Sequence, residues 1–140
     1  MNNYLFGQIS VGLSESFQVL ITPDMIDKFR EISGDHNPLH RDKEFAQHRG
    51  HRECVVFGML TASFYSTLVG VYIPGCNALL HQVDAYFISP VYSEDVLRIS
   101  GKVAAVHHSV NCIDIRAEIA NQNGIRVSRA NIRVGVDKYA

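Results

Sequence analysis

Hydrophobic and polar positions near the start of the chain change from an alternating pattern to a helical one. Residues 13–21, "LSESFQVLI", partly alternate in polarity, which is typical of a strand. Thr22 then offers a side-chain cap, and Pro23 suits the first position of a helix. The pattern predicts a strand followed by a short helix that ends near Gly34. Apolar residues recur within that helix at three- and four-residue spacing and form one stripe: Met25, Ile26, Phe29 and Ile32.

Residues 57–73, "FGMLTASFYSTLVGVYI", are apolar on nearly every helical face. The segment carries no charge and is interrupted only by small or hydroxyl side chains. A helix that is apolar all round belongs in the interior of a protein. We therefore predict a buried central helix here.

Four later segments are rich in Val and Ile, and several alternate in polarity: residues 78–89, 94–106, 110–121 and 125–136. Asn123-Gly124 predicts a tight hairpin turn between the last two. One long helix and about five antiparallel strands indicate an α+β protein, in which an antiparallel sheet wraps around one long central helix. This is the outline of a hot-dog fold. Because such a sheet leaves helix faces and edge strands that need partners, we expect at least a homodimer.

The composition fits one domain spanning residues 1–140, since single cores are commonly built from about 100 to 150 residues. Hydrophobic residues make up 46% and charged residues 19% of the chain, which is enough apolar material for a core. The net charge of −1 and the absence of long Lys/Arg runs argue against nucleic-acid and polybasic membrane partners. Widely spaced cysteines, no signal peptide and no apolar run of about 18 residues indicate a cytoplasmic protein.

The segment "ISGDHNPLHRD", residues 32–42, concentrates ionisable side chains around an Asn-Pro break. Proline disfavours helical geometry at Asn37 and has no backbone N–H, so the chain must turn or extend, and Asp35 and His40 can converge. A carboxylate beside an imidazole can hold and polarise one water molecule. We identify Asp35 and His40 as a candidate acid/base pair, with Asn37 bracing the turn. The alternative is that Asp35 and Asn37 only terminate the helix while His40 lies on the surface.

A metal site is a second interpretation of the carboxylates and histidines in and after this segment: Asp35, His36, His40, Asp42, His48 and His51. His36 and His40 are four residues apart, but the intervening proline prevents the helical face that would present both to one ion. We expect no metal and no cofactor.

Gly58 supplies a second candidate element at the start of the central helix. Free backbone N–H groups at a helix start carry partial positive charge, and glycine lets a ligand approach them closely. A carbonyl oxygen held there would have its developing enolate charge stabilised. Close packing of the helix start is the competing interpretation. Ser63 and Ser66 are candidates for substrate contacts, although hydroxyls in a helix more often bond back to their own backbone.

Three segments together, "SGDHNPLHRDKEFA", "VVFGMLTASFYSTLVG" and "VDAYFISPVYSEDVL", resemble the landmarks of the MaoC-like hot-dog hydratases and dehydratases, particularly the (R)-specific enoyl-CoA hydratases. The order and spacing match along nearly the whole chain. The resemblance implies that Asp35 and His40 orient a catalytic water, that Gly58 provides an oxyanion N–H and that Ser66 helps the site. The implied reaction adds water to a trans-2-enoyl thioester of CoA or acyl carrier protein, or removes it from a 3-hydroxyacyl thioester.

The chain departs from that family pattern at the helix start, where Phe57 replaces a common histidine and Cys54 a common proline. The ring of Phe57 lies where it could alter substrate choice or rate. We expect the segment after the helix to line the acyl pocket, with Tyr72, Leu79 and Leu80 limiting its depth. Basic residues near the motif are candidates for contacts with carrier phosphates: Arg41, Lys43, Arg49 and Arg52.

Two other functions stay open on the sequence. A hot-dog thioesterase also needs a carboxylate and an oxyanion N–H. A non-catalytic subunit that binds acyl thioesters would result if the departures at Phe57 and Cys54 have disabled the site. A nucleophilic mechanism is poorly supported, because no GxSxG motif is present and Cys54 has no evident activating base.

Overall fold

The strands form one antiparallel sheet that packs against a central helix. The computed structural model describes residues 1–137. Its strands and α-helices are β1 Ser14–Leu20, α1 Pro23–Ser33, α2 Lys43–His48, α3 Gly58–Thr67, β2 Ala78–Phe87, β3 Val96–His107, β4 Cys112–Ala120 and β5 Arg126–Val136. The sheet has five strands in the order β1-β3-β4-β5-β2, and every pairing is antiparallel. The predicted α+β hot-dog architecture is confirmed. No helix of the described residues is long and apolar enough to cross a membrane.

The alternation in the last two strands separates a buried sheet face from a solvent face. Ile115 on β4 lies opposite Ile132 on β5, and both are almost completely buried. Arg116 and Glu118, which alternate with these inward residues, are exposed. Such pairs of β-branched side chains stabilise neighbouring strands and fix their register, since a shift of one residue would turn the apolar set towards solvent.

The connection between β4 and β5 is a turn whose glycine adopts a left-handed conformation. Gly124 has a φ of 74°, and its N–H donates to the carbonyl of Asn121 at 3.0 Å. The Asn121 side chain also accepts hydrogen bonds from the N–H groups of Asn123 and Ile125. The turn predicted at Asn123-Gly124 is therefore present, in the hairpin form that ends with a left-handed glycine.

Helix α1 begins and ends as its sequence predicts. Thr22 Oγ1 accepts a hydrogen bond from the N–H of Met25, Pro23 occupies the first turn, and Gly34 ends the helix with a φ of 68°. Met25, Ile26 and Phe29 pack against the core. Ile32 departs from the apolar stripe, because it is 83% exposed at the last turn of the helix.

The predicted central helix is α3 together with a wider helical turn, Leu68–Tyr72. In that turn the N–H of Ile73 donates to the carbonyl of Leu68 at 2.8 Å. Tyr65 and Leu68 are completely buried against the sheet. The prediction of a helix buried on all sides is wrong in one respect: Met59 is 65% exposed and Ser63 and Ser66 are also exposed. A single sheet covers one side of a helix and leaves the opposite side open.

Gly101 on β3 allows Leu68 to approach the sheet closely. A Cβ atom at this position would lie 2.7 Å from Leu68 Cδ2 and 3.0 Å from Ile115 Cγ2. Leu68 and Ile115 are at most 1% exposed, so neither side chain has free space to move into. The close packing of α3 and its following turn against the sheet therefore requires glycine at position 101.

We expect Gly101→Ala to destabilise the fold by about 1–3 kcal/mol, because an added methyl group overpacks this contact. The free energy of unfolding would be measured by urea denaturation. Ser100→Ala is the matched control, since Ser100 faces the other side of the same strand and its replacement should change stability by less than about 0.5 kcal/mol. Equal stability of the Gly101→Ala variant and the wild type would contradict the close-packing assignment.

Candidate active site

Two consecutive side-chain turns fold the motif segment back on itself. Asp35 Oδ1 accepts a hydrogen bond from the N–H of Asn37 at 3.0 Å. Asn37 Oδ1 then accepts one from the N–H of Leu39 at 3.0 Å and caps the short 3-10 helix Pro38–His40. Such side-chain turns are the usual role of Asp and Asn in irregular segments. They place the imidazole of His40 next to the carboxylate of Asp35.

The imidazole of His40 is held in one tautomer by a backbone carbonyl. His40 Nδ1 lies 2.7 Å from the carbonyl oxygen of Val55. Because a carbonyl only accepts hydrogen bonds, Nδ1 carries the proton in the neutral ring and Nε2 keeps its lone pair. Nε2 faces Asp35 Oδ2 at 3.8 Å, which is too long for a direct hydrogen bond. Two acceptor atoms at this separation suit a molecule that donates a hydrogen bond, such as water, between them.

Packing beneath His40 fixes the position of the ring. The Phe57 ring lies 4.1 Å from the imidazole and 5.1 Å from the ring of Phe29 on α1, measured between centroids. Arg30 on the same helix donates a hydrogen bond from Nη2 to the backbone carbonyl of His40 at 3.3 Å. Phe57 is 2% exposed, so it supports the imidazole from below while also forming part of the wall of the adjacent groove.

Gly58 begins α3 directly beside this pair. No side chain caps the helix start at Phe57, and the first backbone N–H groups of a helix have no partner within it. A Cβ atom on Gly58 would lie 3.2 Å from the ring of Phe87, so a larger residue would crowd this ring beside the helix start. Asp35, His40, Gly58 and Phe87 line one groove together with Phe29, Ser33, Phe57 and Met59.

A second cavity lies beside the groove and shares His40, Gly58 and Phe87 with it. Most of its other walls are apolar, and they include Val55, Val56, Ile88, Pro90 and Val127. Polar side chains reach it from His51, Thr61 and Ser89. The three shared residues therefore lie between the groove that contains Asp35 and a largely apolar cavity.

The remaining candidates from the sequence lie outside both compartments as the described residues form them. Ser63 Oγ donates to the carbonyl of Leu60 at 2.6 Å, and Ser66 lies on the exposed side of α3. Tyr72 stacks on Phe17 with ring centroids 4.6 Å apart. Leu79 lies at the start of β2 and is 66% exposed. The structure brings together Asp35, His40, Phe57 and Gly58, with Asn37 supporting the turn between the first two.

Three residues that contribute to the site were not identified from the sequence. The Val55 carbonyl and the Arg30 guanidinium act through backbone contacts that no residue pattern reports. Thr61 lines the second cavity three positions after Gly58, and this spacing was the one signal that could have placed it on the same helix face. Within residues 1–137, no group of three or more His, Cys, Asp or Glu side chains is placed to hold a metal ion.

We expect neutral His40 to carry its proton on Nδ1, because the Val55 carbonyl accepts from that atom. Nitrogen-15 NMR of histidine-labelled protein distinguishes the two tautomers, and the His40→Gln variant identifies the signal. His107 is the internal control: its Nε2 lies 2.8 Å from Asp114 Oδ2, so its proton should lie on Nε2. A His40 spectrum of the same type as that of His107 would contradict the assignment.

Comparison with characterised proteins shows related sequences named for thioester chemistry. The chain is 30% identical over 99 residues to a 3-hydroxybutyryl-CoA dehydratase of Methylorubrum extorquens, covering 71% of this chain and 63% of that protein. It is 31% identical over 96 residues to an (R)-specific enoyl-CoA hydratase of Aeromonas caviae, covering 69% of this chain and 72% of that protein. The match thus spans less than two thirds of the first of these relatives.

The fold agrees with these sequence matches. The solved structure of an (R)-hydratase from A. caviae involved in PHA biosynthesis superposes with a TM-score of 0.87 at 26% identity, over 92% of this chain and 98% of that chain. The family model described as the MaoC like domain matches residues 10–126. A match over most of the chain, together with the shared fold, identifies this protein as a member of the MaoC-like domain family.

Proposed function

We propose that this chain is a hydro-lyase that adds water to trans-2-enoyl thioesters to give (R)-3-hydroxyacyl thioesters, and that it catalyses the reverse dehydration. The observation that carries the proposal is the imidazole of His40, whose unprotonated Nε2 lies 3.8 Å from a carboxylate beside an open helix start. The names of the hydratase and dehydratase relatives support the reaction class and the stereochemistry. The acyl carrier is CoA or acyl carrier protein.

The thioester oxygen would bind the N–H of Gly58. Charge that develops on this oxygen as water adds to the β-carbon would be stabilised by the N–H group and by the positive end of α3. Because Gly58 has no side chain, the oxygen can approach the backbone. The groove would then hold the β-carbon of the substrate near Asp35 and His40.

The catalytic water would lie between Asp35 Oδ2 and His40 Nε2. His40 removes a proton from the water as its oxygen bonds to the β-carbon, and the resulting imidazolium returns that proton to the α-carbon. One molecule of water is added in total, and the enzyme ends in its starting state. The carboxylate of Asp35 orients the water and stabilises the imidazolium through its charge.

We expect Asp35→Asn and His40→Gln to lower the rate of crotonyl-CoA hydration by about 10²- to 10⁴-fold, because each removes one partner of the water. The loss of the enoyl-thioester absorbance measures the rate, and circular dichroism checks folding. Asn at position 35 keeps an oxygen that can accept from the N–H of Asn37, so the turn should survive. His36→Gln is the matched control, since His36 is an exposed neighbour in the same loop.

Two outcomes would decide against this function. Release of free thiol without formation of a 3-hydroxyacyl product would indicate a thioesterase. Tight binding of acyl-CoA without turnover, across short and medium chains on either carrier, would indicate a non-catalytic binding subunit. Full activity of both variants would show that the water lies elsewhere.

We also propose that two copies of the chain pair through β2. This strand is one of the two edge strands of the sheet in residues 1–137, the other being β1, so one row of its backbone hydrogen-bonding groups faces away from β5. Its residues are unusually exposed for apolar side chains: Leu79 66%, Leu80 41%, Val83 38%, Tyr86 45% and Phe87 54%. Antiparallel pairing of β2 with its own copy would extend the sheet across a two-fold axis. It would also cover the groove wall formed by Phe87 and Met59.

We expect Val83→Lys to convert the dimer to a monomer, because a two-fold axis near the middle of β2 brings like charges together. Light scattering coupled to size-exclusion chromatography measures the molar mass. Val11→Lys is the matched control, since Val11 is 65% exposed in the turn before β1, at the opposite edge of the sheet from β2. A wild-type protein that is monomeric at micromolar concentration would contradict the pairing.

A further inference from the structure

Thr61 has a buried hydroxyl with no hydrogen-bond partner. The residue is 2% exposed, and within residues 1–137 its Oγ1 is one of two buried side-chain polar atoms without a partner. A buried hydroxyl that makes no hydrogen bond destabilises a folded protein, so each such group requires an explanation. The other atom, Arg30 Nε, belongs to a guanidinium whose remaining nitrogens bind Asp27 and the His40 carbonyl.

Three other hydroxyls of α3 and the facing sheet have hydrogen-bond partners. Tyr65 donates to Ser128 Oγ at 2.8 Å, and Ser128 donates to the carbonyl of Tyr86 at 2.8 Å. Burial raises the pKa of Tyr65 to about 12, so the phenol keeps its proton for this bond at neutral pH. Ser63 donates to its own helix, as hydroxyls in helices usually do. Thr61 differs from these three residues, because its hydroxyl is buried without a partner.

The position of Thr61 points to a ligand that also contacts Gly58. The two residues are three apart on α3, so they lie on one face of the helix. Side chains of a helix lean towards its N-terminus, which brings the Thr61 side chain over the turn that begins at Gly58. Both residues line the second cavity, whose remaining walls are mostly apolar. Thr61 Oγ1 is thus a buried donor three residues from the N–H group of Gly58, and both residues line the same cavity.

We infer that Thr61 is a catalytic residue whose hydroxyl donates a second hydrogen bond to the thioester oxygen held by the Gly58 N–H. The inference rests on the proposed hydratase function. A thioester oxygen has two lone pairs, and the charge that forms on it during water addition is stabilised more by two fixed donors than by one. Without substrate the hydroxyl has no partner, so no existing hydrogen bond must break when the oxygen arrives.

The first test compares Thr61→Val with Thr61→Ser. Valine keeps the shape but removes the donor, so we expect kcat for crotonyl-CoA hydration to fall about 100-fold with little change in KM. Thr61→Ser should recover most of the activity. The melting temperature of Thr61→Val should equal or exceed that of the wild type, because the variant removes an unsatisfied buried hydroxyl. Thr67→Val, at the end of α3, is the matched control and should leave the kinetics unchanged.

The second test observes the thioester oxygen without turnover. Butyryl-CoA labelled with carbon-13 at its carbonyl cannot be hydrated, so infrared difference spectroscopy reports the carbonyl stretch of the bound molecule. Loss of a donor shortens the carbonyl bond, and we expect the stretch to move to higher frequency in Thr61→Val relative to the wild type and Thr67→Val.

Several results would overturn the inference while leaving the hydratase function intact. They are an unchanged kcat in Thr61→Val, an effect on KM alone, a lowered melting temperature that reveals a structural bond, or an unshifted carbonyl stretch. A wild-type protein that neither hydrates crotonyl-CoA nor binds butyryl-CoA would instead overturn the proposed function, and this inference with it.

Discussion

The ring of Phe57 is buried between His40 and Phe29, and this contact joins the three parts of the molecule that form the site. Phe29 belongs to α1, His40 to the polar loop, and Phe57 is the residue at which α3 begins. The packing of three rings therefore sets how far the imidazole lies from the first N–H groups of the helix. Since α3 is in turn fixed against the sheet by Leu68 at Gly101, the sheet positions the site through the helix.

The charges around this contact are arranged so that one oxygen of the Asp35 carboxylate remains available to accept a hydrogen bond. Arg30 contacts the His40 loop, but its guanidinium binds Asp27 at 2.9 Å and the backbone carbonyl of His40. Asp35 uses Oδ1 for the turn at Asn37 and directs Oδ2 towards the imidazole. An ion pair between Arg30 and Asp35 would engage both oxygens of the carboxylate and compete with a water for Oδ2.

Much of the fold could be predicted because its signals are local. The cap at Thr22, the stop at Gly34 and the turn at Gly124 each depend on residues within a few positions of one another, and all three are present. The exposure of Met59 and Ile32 could not be predicted, because a hydrophobic pattern identifies an apolar face and not the element that covers it. Which faces of α3 are covered depends on the width and curvature of the sheet.

The residues of the site also divide into those that local sequence signals identify and those that depend on the rest of the fold. Asp35, His40 and Gly58 could be selected from residue type and from the breaks that Pro38 and the helix start impose. The placement of Tyr72 against Phe17 could not, since the wide turn that ends α3 rotates the following residues in a way that no spacing rule anticipates. The sequence also could not show which hydroxyls of α3 lack partners.

The proton position on His40 decides which hydrogen bonds the imidazole can make on the side that faces Asp35. If Nε2 carried the proton of the neutral imidazole, its N–H would point towards Asp35 and the ring would direct no lone pair at the groove. The Val55 carbonyl prevents this arrangement, because it accepts from Nδ1 and leaves Nε2 as the basic atom. Val55 precedes Phe57 by two residues. The segment that leads into α3 therefore supplies both the carbonyl that accepts from His40 Nδ1 and the ring that packs against the imidazole. One short stretch of backbone thus sets the orientation of the His40 ring, its depth and the nitrogen that carries its proton, and it leads directly into the start of α3 at Gly58.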